Sequence, residues 1–336
     1  MINNSEAKKI FCYFEKSFLI NLYDSIFKDN IDVNFYIYST DITEDEFKKL
    51  RIATYSNIIF IPDTILINNR INLFGLCLLS IENSIVSSEQ TFKIINLVKE
   101  KNIPIALLQS DILQFETNKK ESLKFQNLKL FDKILTFYPF DFIQNASSIG
   151  YPFYYNDTIE YQGEYNLIIS DINNDFYTHN EIITFYKIML EFINKTNKIF
   201  LLKIAKKNNN IEFEHNIIES FFQYYPNAKE RLVFCDQNSM LNIMRTNDLI
   251  ARSNFVISLM SNAIFDCEQY KKEFAVYLPR NKIININILK KIKTFSDYNE
   301  LQDITNYNKF IDNFIQEYDN DTFLNNINKL YINDKI

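Results

Sequence analysis

Residues 248–278 read DLIARSNFVISLMSNAIFDCEQYKKEFAVYL, and the order of residue types in this stretch decides the fold. Phe255-Val256-Ile257 and Phe274–Leu278 are short apolar runs of β-branched and aromatic residues, suited to buried parallel strands. Between them, Ser258-Leu259-Met260-Ser261-Asn262 supplies hydroxyl and amide groups where a helix would begin. A helix starting near Asn262 carries its free backbone N–H groups and the positive end of its dipole at the carboxyl edge of the sheet. That edge is where α/β proteins hold phosphorylated ligands.

The same alternation extends outward in both directions. Upstream, Asn166–Ser170, Lys198–Ile204 and Arg231–Cys235 read as strands, with helical spacing over His179–Asn194 and Ile217–Tyr224. Downstream, Asp297–Asp303 and Asn308–Tyr318 read as helices. Nearer the N-terminus, Lys8–Phe14, Val33–Ser39, Ile58–Ile61, Leu76–Ile81, Ile105–Gln109 and Phe131–Phe137 are strands, with helices expected over Phe18–Phe27 and Ser88–Lys101. Residues 114–129 are polar and charged and belong on the surface. The stretch 147–165 holds two of the three glycines and Pro152, which marks it as the linker. Strands alternating with helices on both sides of such a break imply two parallel sheets. The expected fold is therefore α/β, with two Rossmann-like domains, residues 1–150 and 151–336, facing across a cleft.

Composition narrows the function. A chain of 336 residues with 47% hydrophobic and 23% charged residues can bury more than one core. A net charge of −6 disfavours a nucleic-acid partner held by phosphate neutralisation. No apolar run approaches a membrane span and no secretory signal is legible, so a cytoplasmic protein is expected. Cys12, Cys77, Cys235 and Cys267 form no CxxC pair and fit buried, reduced thiols. With glycine only at 75, 150 and 163, the chain has no GxGxxG, Walker A or GxSxG motif. Phosphate must then be held by helix N-termini, hydroxyls and cations.

The layout resembles glycosyltransferases of the GT-B type, and the likeness is specific at 248–278. Many of these enzymes carry S-T-x-x-x-E-A, four variable positions, K-P and an apolar strand. Here Ser261-Asn262 stands for the first pair, Asp266-Cys267 for Glu-Ala and Lys272-Glu273 for Lys-Pro. NIPIALLQSD, FDKILTFYPFD and IGYPFYY look like the N-terminal domain and crossover of CgeB-like and surface-polysaccharide glycosyltransferases. The resemblance implies a metal-independent sugar transfer from a nucleotide-sugar to a surface-glycan or lipid-linked acceptor. The donor is a substrate, no cofactor is called for, and the second domain binds it. A nucleotide-sugar epimerase of the same fold and a non-catalytic binding or assembly subunit are the alternatives.

Ser258, Ser261 and Asn262 are the phosphate candidates, and each is equally suited to ordinary helix capping. Asp266 stands where the family's ribose-binding acid would be. Lys203, a lone cation in FLLKI, and Arg252, just before a strand, are the cations available for phosphate; Arg252 is equally placed to pair with Asp248 four residues earlier. Asn173, in the loop Asp171–Thr178, is placed to offer backbone to the donor. That loop contains D-I-N-N-D but is read as a polar turn without metal. For the base, the strand-end acids Glu15, Glu82 and Asp111 are the candidates, Glu15 and Asp111 first. His179 opens a helix, and His215, close behind Glu212 and Glu214, reads as a solvated surface group. The lysines of 282–293 read as a solvated face, with contact to an anionic membrane surface as the alternative.

Overall fold

The computed structural model describes residues 7–81, 88–111, 114, 128–140, 143–152, 165–174, 176–205, 211–282, 292–306 and 318–332. The chain divides into two compact units: Met1–Phe115 with Lys119–Tyr154 and Gln316–Ile336, and Tyr155–Ile315 with Glu116–Asn118.

The first unit is built on seven parallel strands: β1 (Lys8–Phe14), β2 (Val33–Ser39), β3 (Ile58–Phe60), β4 (Leu76–Ser80), β5 (Ile105–Leu108), β6 (Lys133–Thr136) and β7 (Ala146–Ser148). Their order is β3-β2-β1-β4-β5-β6-β7. The chain therefore runs one way from β1 and then returns to lay β4 on β1's other side, with Ile10 opposite Leu76 and Phe14 opposite Ser80. The Leu76–Ser80 strand is buried along its whole length, as a central parallel strand must be. The helix Glu89–Glu100 between β4 and β5 is capped by Ser88 and buries Ile94, Ile95 and Val98. Phe18–Phe27, expected as one helix, is a short 3₁₀ segment over Ser17–Tyr23 followed by a helix over Asp24–Asp29. β7 occupies the start of the stretch expected as linker.

The second unit repeats the plan with β8 (Tyr165–Ser170), β9 (Ile199–Ile204), β10 (Leu232–Phe234), β11 (Phe255–Ser258), β12 (Glu273–Tyr277) and β13 (Thr294–Phe295). The order is β10-β9-β8-β11-β12-β13, again all parallel. In register, Ser258 faces Ile169 on β8 and Val276 on β12. The helix His179–Lys195 starts with a capping box between Thr178 and Glu181 and buries Phe185, Tyr186, Met189 and Ile193. The strands 255–258 and 273–277 and the helix Ala263–Gln269 between them match the reading of the opening stretch.

One domain expectation needs correction. The C-terminal helix Asn320–Leu330 belongs to the first unit, not the second. Its apolar face buries Phe323 and Ile327. The Asp319 N–H donates to the Ile149 carbonyl at 2.8 Å, the Ile332 N–H to the Gly75 carbonyl at 3.1 Å, and the Lys9 N–H to the Tyr331 hydroxyl at 3.0 Å. Gly75 is required there, because a Cβ would lie 2.6 Å from Tyr331 Cζ and 2.7 Å from the Ile332 carbonyl oxygen. The helix expected over Asn308–Tyr318 lies almost wholly outside the described residues.

Glycine scarcity also shows in the turns. Asn102 and Lys271 both take positive φ, 52°, at the ends of the helices before β5 and β12, a position glycine usually fills. All four cysteines are buried and free, and burial raises their thiols, Cys235 to about 11. Among the described residues no helix is long and apolar enough to cross a membrane.

Candidate functional site

In each sheet the strand order reverses at one point, β1/β4 in the first unit and β8/β11 in the second. Ligands of open α/β sheets bind outside the carboxyl ends of the strands at such a point.

At the β8/β11 edge, the turn after β11 is sealed. Ser258, Leu259, Met260 and Ser261 are all buried. The Ser258 hydroxyl donates to the Leu259 carbonyl at 2.5 Å, so its proton is used within the turn. The Ser261 hydroxyl accepts the Ala263 N–H at 3.3 Å, the Ser261 carbonyl accepts the Ile264 N–H, and the Asn262 carbonyl accepts the Phe265 N–H. Asn262 starts the helix with helical dihedrals, and its side chain makes no cap bond. Asp266 follows one turn on and is half-buried, as is Asn262.

The residue that organises this turn is one the sequence did not reveal. Tyr177, fully buried at the end of the loop after β8, accepts the Met260 N–H at 2.9 Å and donates to the Tyr277 carbonyl, the last residue of β12, at 2.9 Å. One phenol thus joins the exits of β8, β11 and β12. Burial pushes its pKa far above the ordinary tyrosine value, so it stays a neutral hydroxyl able to donate and accept. Asn173 anchors the same loop, its carbonyl accepting the Phe176 and Tyr177 N–H groups at 3.0 and 2.8 Å. Lys282 closes it from the other side. Its ammonium lies 3.4 Å from Glu181 and 5.2 Å from the Phe176 ring centroid, and its side chain is 8% exposed. The solvated-face reading fails for this lysine because its stem and charge both have partners. Of the stretch 282–293, residues 283–291 lie outside the described residues.

The two cations expected at the phosphate are placed otherwise. Arg252 ends the helix Thr246–Arg252 ahead of β11, and its charge acts on Tyr165, the first residue of β8. In a parallel sheet that is the amino edge, not the carboxyl edge at which the sequence expected it to meet the donor. Lys203, in β9, directs its ammonium to the carbonyls of Leu241, Asn242 and Met244 at 3.5, 3.3 and 3.1 Å. It satisfies the carbonyl end of the helix Ser239–Ile243, a role the lone position in an apolar strand did not foretell. His179 is exposed at the start of its helix, edge-on to Phe213. His215 is not solvated. Its Nε2 stands 3.0 Å from Asp236, its Nδ1 3.0 Å from the Gln237 amide, and its ring 4.4 Å from that of Phe234.

At the β1/β4 edge, Glu15 follows β1 directly and is buried. Its N–H donates to the Ser80 carbonyl at 2.9 Å, and its Oε1 accepts the Thr91 hydroxyl at 3.1 Å. Thr91 also meets the hydroxyls of Tyr13 at 3.1 Å and Ser88 at 3.0 Å. Beside this chain, Tyr23 donates to the Gln109 carbonyl at 2.5 Å and shares a bond with Ser80 at 2.9 Å. Gln109 in turn accepts the Phe137 N–H at 2.7 Å and donates to the Asp111 carbonyl at 2.9 Å. Glu15 and Asp111 therefore both lie at the carboxyl edge, Glu15 at the reversal point and Asp111 beyond β5. Glu82 lies outside the described residues.

Neither protein-family models nor curated proteins give a match to the chain. Solved structures do. Staphylococcus aureus MnaA with UDP is similar at 9% identity and a TM-score of 0.59, over 96% of both chains. A Methanocaldococcus jannaschii UDP-GlcNAc 2-epimerase with UDP-GlcNAc and UDP is similar at 8% identity and 0.59, over 96% of this chain and 99% of that one. The UDP-GlcNAc 2-epimerase of Neisseria meningitidis with UDP-GlcNAc is similar at 10% identity and 0.57, over 96% and 99%. At such identities the likeness is one of fold: the chain has the GT-B fold, two α/β units each built on a parallel sheet.

Proposed function

We propose that this chain is a nucleotide-sugar enzyme that binds its donor at the β8/β11 edge of the second unit and transfers the sugar to a surface-glycan or lipid-linked acceptor. The observation that carries the reading is the turn after β11. In a chain without a glycine cradle, the Tyr177 hydroxyl holds Met260 so that Asn262 and Asp266 follow at the reversal point of the sheet. That geometry suits a nucleotide: the start of a helix for phosphate and a carboxylate one turn on for ribose hydroxyls. The spacing from Ser261 to Asp266 and Lys272 supports the same reading. Glu15 is the preferred base, with Asp111 and Glu82 behind it. Accepting a hydroxyl proton requires a carboxylate held in place, and the Thr91 bond orients Glu15. Transfer to a lipid-linked acceptor would set the protein at the cytoplasmic face of a membrane, and the CgeB-like resemblance supports a polysaccharide product.

Epimerisation of the nucleotide-sugar is the second reading, favoured because the solved structures that align end to end with this chain include UDP-GlcNAc 2-epimerases. The experiment is a thermal-shift screen against UDP-, GDP-, CMP- and dTDP-sugars, followed by product analysis of any ligand that raises the midpoint. Transfer that requires added acceptor supports the first reading; a free epimer formed from the nucleotide-sugar alone replaces it with the second. No response to any nucleotide-sugar leaves a non-catalytic subunit. Loss of the response in the double variant Ser261→Ala, Asp266→Ala supports the location, and an unchanged response refutes it.

A further inference from the structure

The helix Ile211–Phe221 carries Glu214 on the face that also holds Ile217 and Ile218, three and four residues on, so the helical period sends a carboxyl group into the core of the second unit. Glu214 is 1% exposed. A single oxygen, Oε2, accepts the Ser170 hydroxyl at 2.5 Å and the Tyr186 hydroxyl as well. Ser170 is the last residue of β8, and Tyr186 lies on the helix that follows the loop Asp171–Thr178. One atom therefore ties the helix after β9 to the strand before that loop and to the helix that follows it.

Among the described residues, the charges that act on this atom are of one sign. Asp171, in the loop, and Asp236, beyond β10, both act on Glu214, and among the described residues no lysine or arginine pairs with it. His215, its neighbour on the helix, turns to Asp236 at 3.0 Å instead. A carboxylate buried without a cation is disfavoured, and like charges nearby disfavour it further. Burial raises the Glu214 pKa to about 7, the bonds from Ser170 and Tyr186 pull it down, and Asp171 and Asp236 add to the rise.

We propose that Glu214 is a proton-dependent latch on the exit of β8, a positioning residue rather than a catalytic one. Neutral, it holds Ser170 and Tyr186 and so fixes the loop that brings Asn173 and Tyr177 to the turn after β11. Ionised, it keeps the favour of the two hydroxyl donors but is opposed by burial and by Asp171 and Asp236, and the water drawn in to solvate the charge loosens that loop. The consequence for ligand binding rests on the nucleotide reading of the β8/β11 edge; the latch itself does not.

The folded protein keeps the Glu214 proton to a higher pH than the unfolded chain does. Its contribution to stability is therefore full at low pH and is lost as pH rises from the ordinary glutamate range to about 7. The test compares melting midpoints of the wild type and Glu214→Gln from about pH 5 to about pH 8, where the wild type should lose about 2–5 °C relative to the variant. Parallel curves overturn the proposal. Tyr186→Phe, which removes a donor to the carboxylate, should move the wild-type break to higher pH even if the glutamine variant folds poorly; an unmoved break also overturns it. A second arm reads the midpoint shift produced by UDP-GlcNAc. The shift should be larger at pH 6 than at pH 8 for the wild type, at about these values, and equal for Glu214→Gln. A shift in the wild type with the same pH dependence as the variant overturns the latch. No shift at either pH counts against the nucleotide reading, and the latch is then decided by the midpoint curves.

Discussion

The two sheets share a strand plan but finish their carboxyl edges differently. In the first unit, side chains bond to one another and to nearby backbone in a continuous buried chain, from Ser88 and Tyr13 through Thr91 to Glu15, and from Ser80 through Tyr23 to Gln109 and Asp111. In the second, one phenol, Tyr177, bonds to backbone on both sides, and the turn it holds is further tied by bonds within itself and by the Leu259 N–H to the Ile169 carbonyl of β8. The difference teaches that a topology locates an edge, while the side chains decide whether it is a polar network or a turn pinned through its backbone to a helix start. The amino edges differ too. The first unit is closed by the chain's last helix and the Tyr331–Ile332 strap over Gly75.

Breaking that strap should have the largest effect. Gly75→Leu places atoms where Tyr331 and the Ile332 carbonyl now stand, and it should cost about 3 kcal/mol in denaturant unfolding, with the C-terminal helix becoming sensitive to protease. Wild-type stability in this variant would mean that the strap does not close the first unit. Next come the paired phenols. Tyr23→Phe and Tyr177→Phe each leave buried backbone partners unsatisfied, for about 2 kcal/mol apiece. Only Tyr177→Phe should also diminish the response to UDP-GlcNAc, and an equal loss in Tyr23→Phe would erase the proposed distinction between the edges.

A smaller effect separates two glutamates of the second unit. Burial works against ionised Glu181, yet the Thr178 N–H, Asn281, the Thr178 hydroxyl and Lys282 together hold its pKa below the usual value. Its stabilisation is therefore present above the ordinary glutamate range and is lost as pH falls through its lowered pKa, the opposite sense to Glu214. Lys282→Met should cost about 1 kcal/mol near neutral pH, and Glu181→Gln should flatten the acid limb of the melting curve. A Glu181→Gln limb as steep as the wild type's would show that the pair is idle. Least of all should Asp266→Ala change stability, by about 0.5 kcal/mol or less, while abolishing the nucleotide response. Glu15→Gln should retain that response and lose about 10²-fold or more in turnover. Retained turnover would move the base to Asp111 or Glu82.

Much of the fold was legible because most strands are largely apolar runs and each long helix repeats at the helical period; β8, β11 and β12 stand almost where the sequence puts them, whereas β7 (Ala146–Ser148) and β13 (Thr294–Phe295) are too short and polar to announce themselves. The candidate site was legible only in part. Ser261, Asn262 and Asp266 follow from local spacing along one turn and helix. Where the cations Arg252 and Lys203 go was not legible, because a cation's partner depends on the tertiary fold: Arg252 stands at the amino edge and Lys203 meets carbonyls about forty residues away in sequence. Glu214 had a signal in its spacing to Ile217 and Ile218, but its neighbours Glu212 and His215 made that helix face look polar. Tyr177 had none, since its value lies in contacts with Met260 and Tyr277, 83 and 100 residues on.

By itself, then, the sequence determined the α/β class, the two-sheet repeat and the absence of a glycine cradle, all of which are set by local periodicity and composition. Only the tertiary structure decided which unit receives the last helix, which hydroxyl holds the turn after β11, and that a buried glutamate meets the hydroxyls of Ser170 and Tyr186. Those depend on contacts between residues far apart in the chain, where burial and partner geometry, not local pattern, set the free energy.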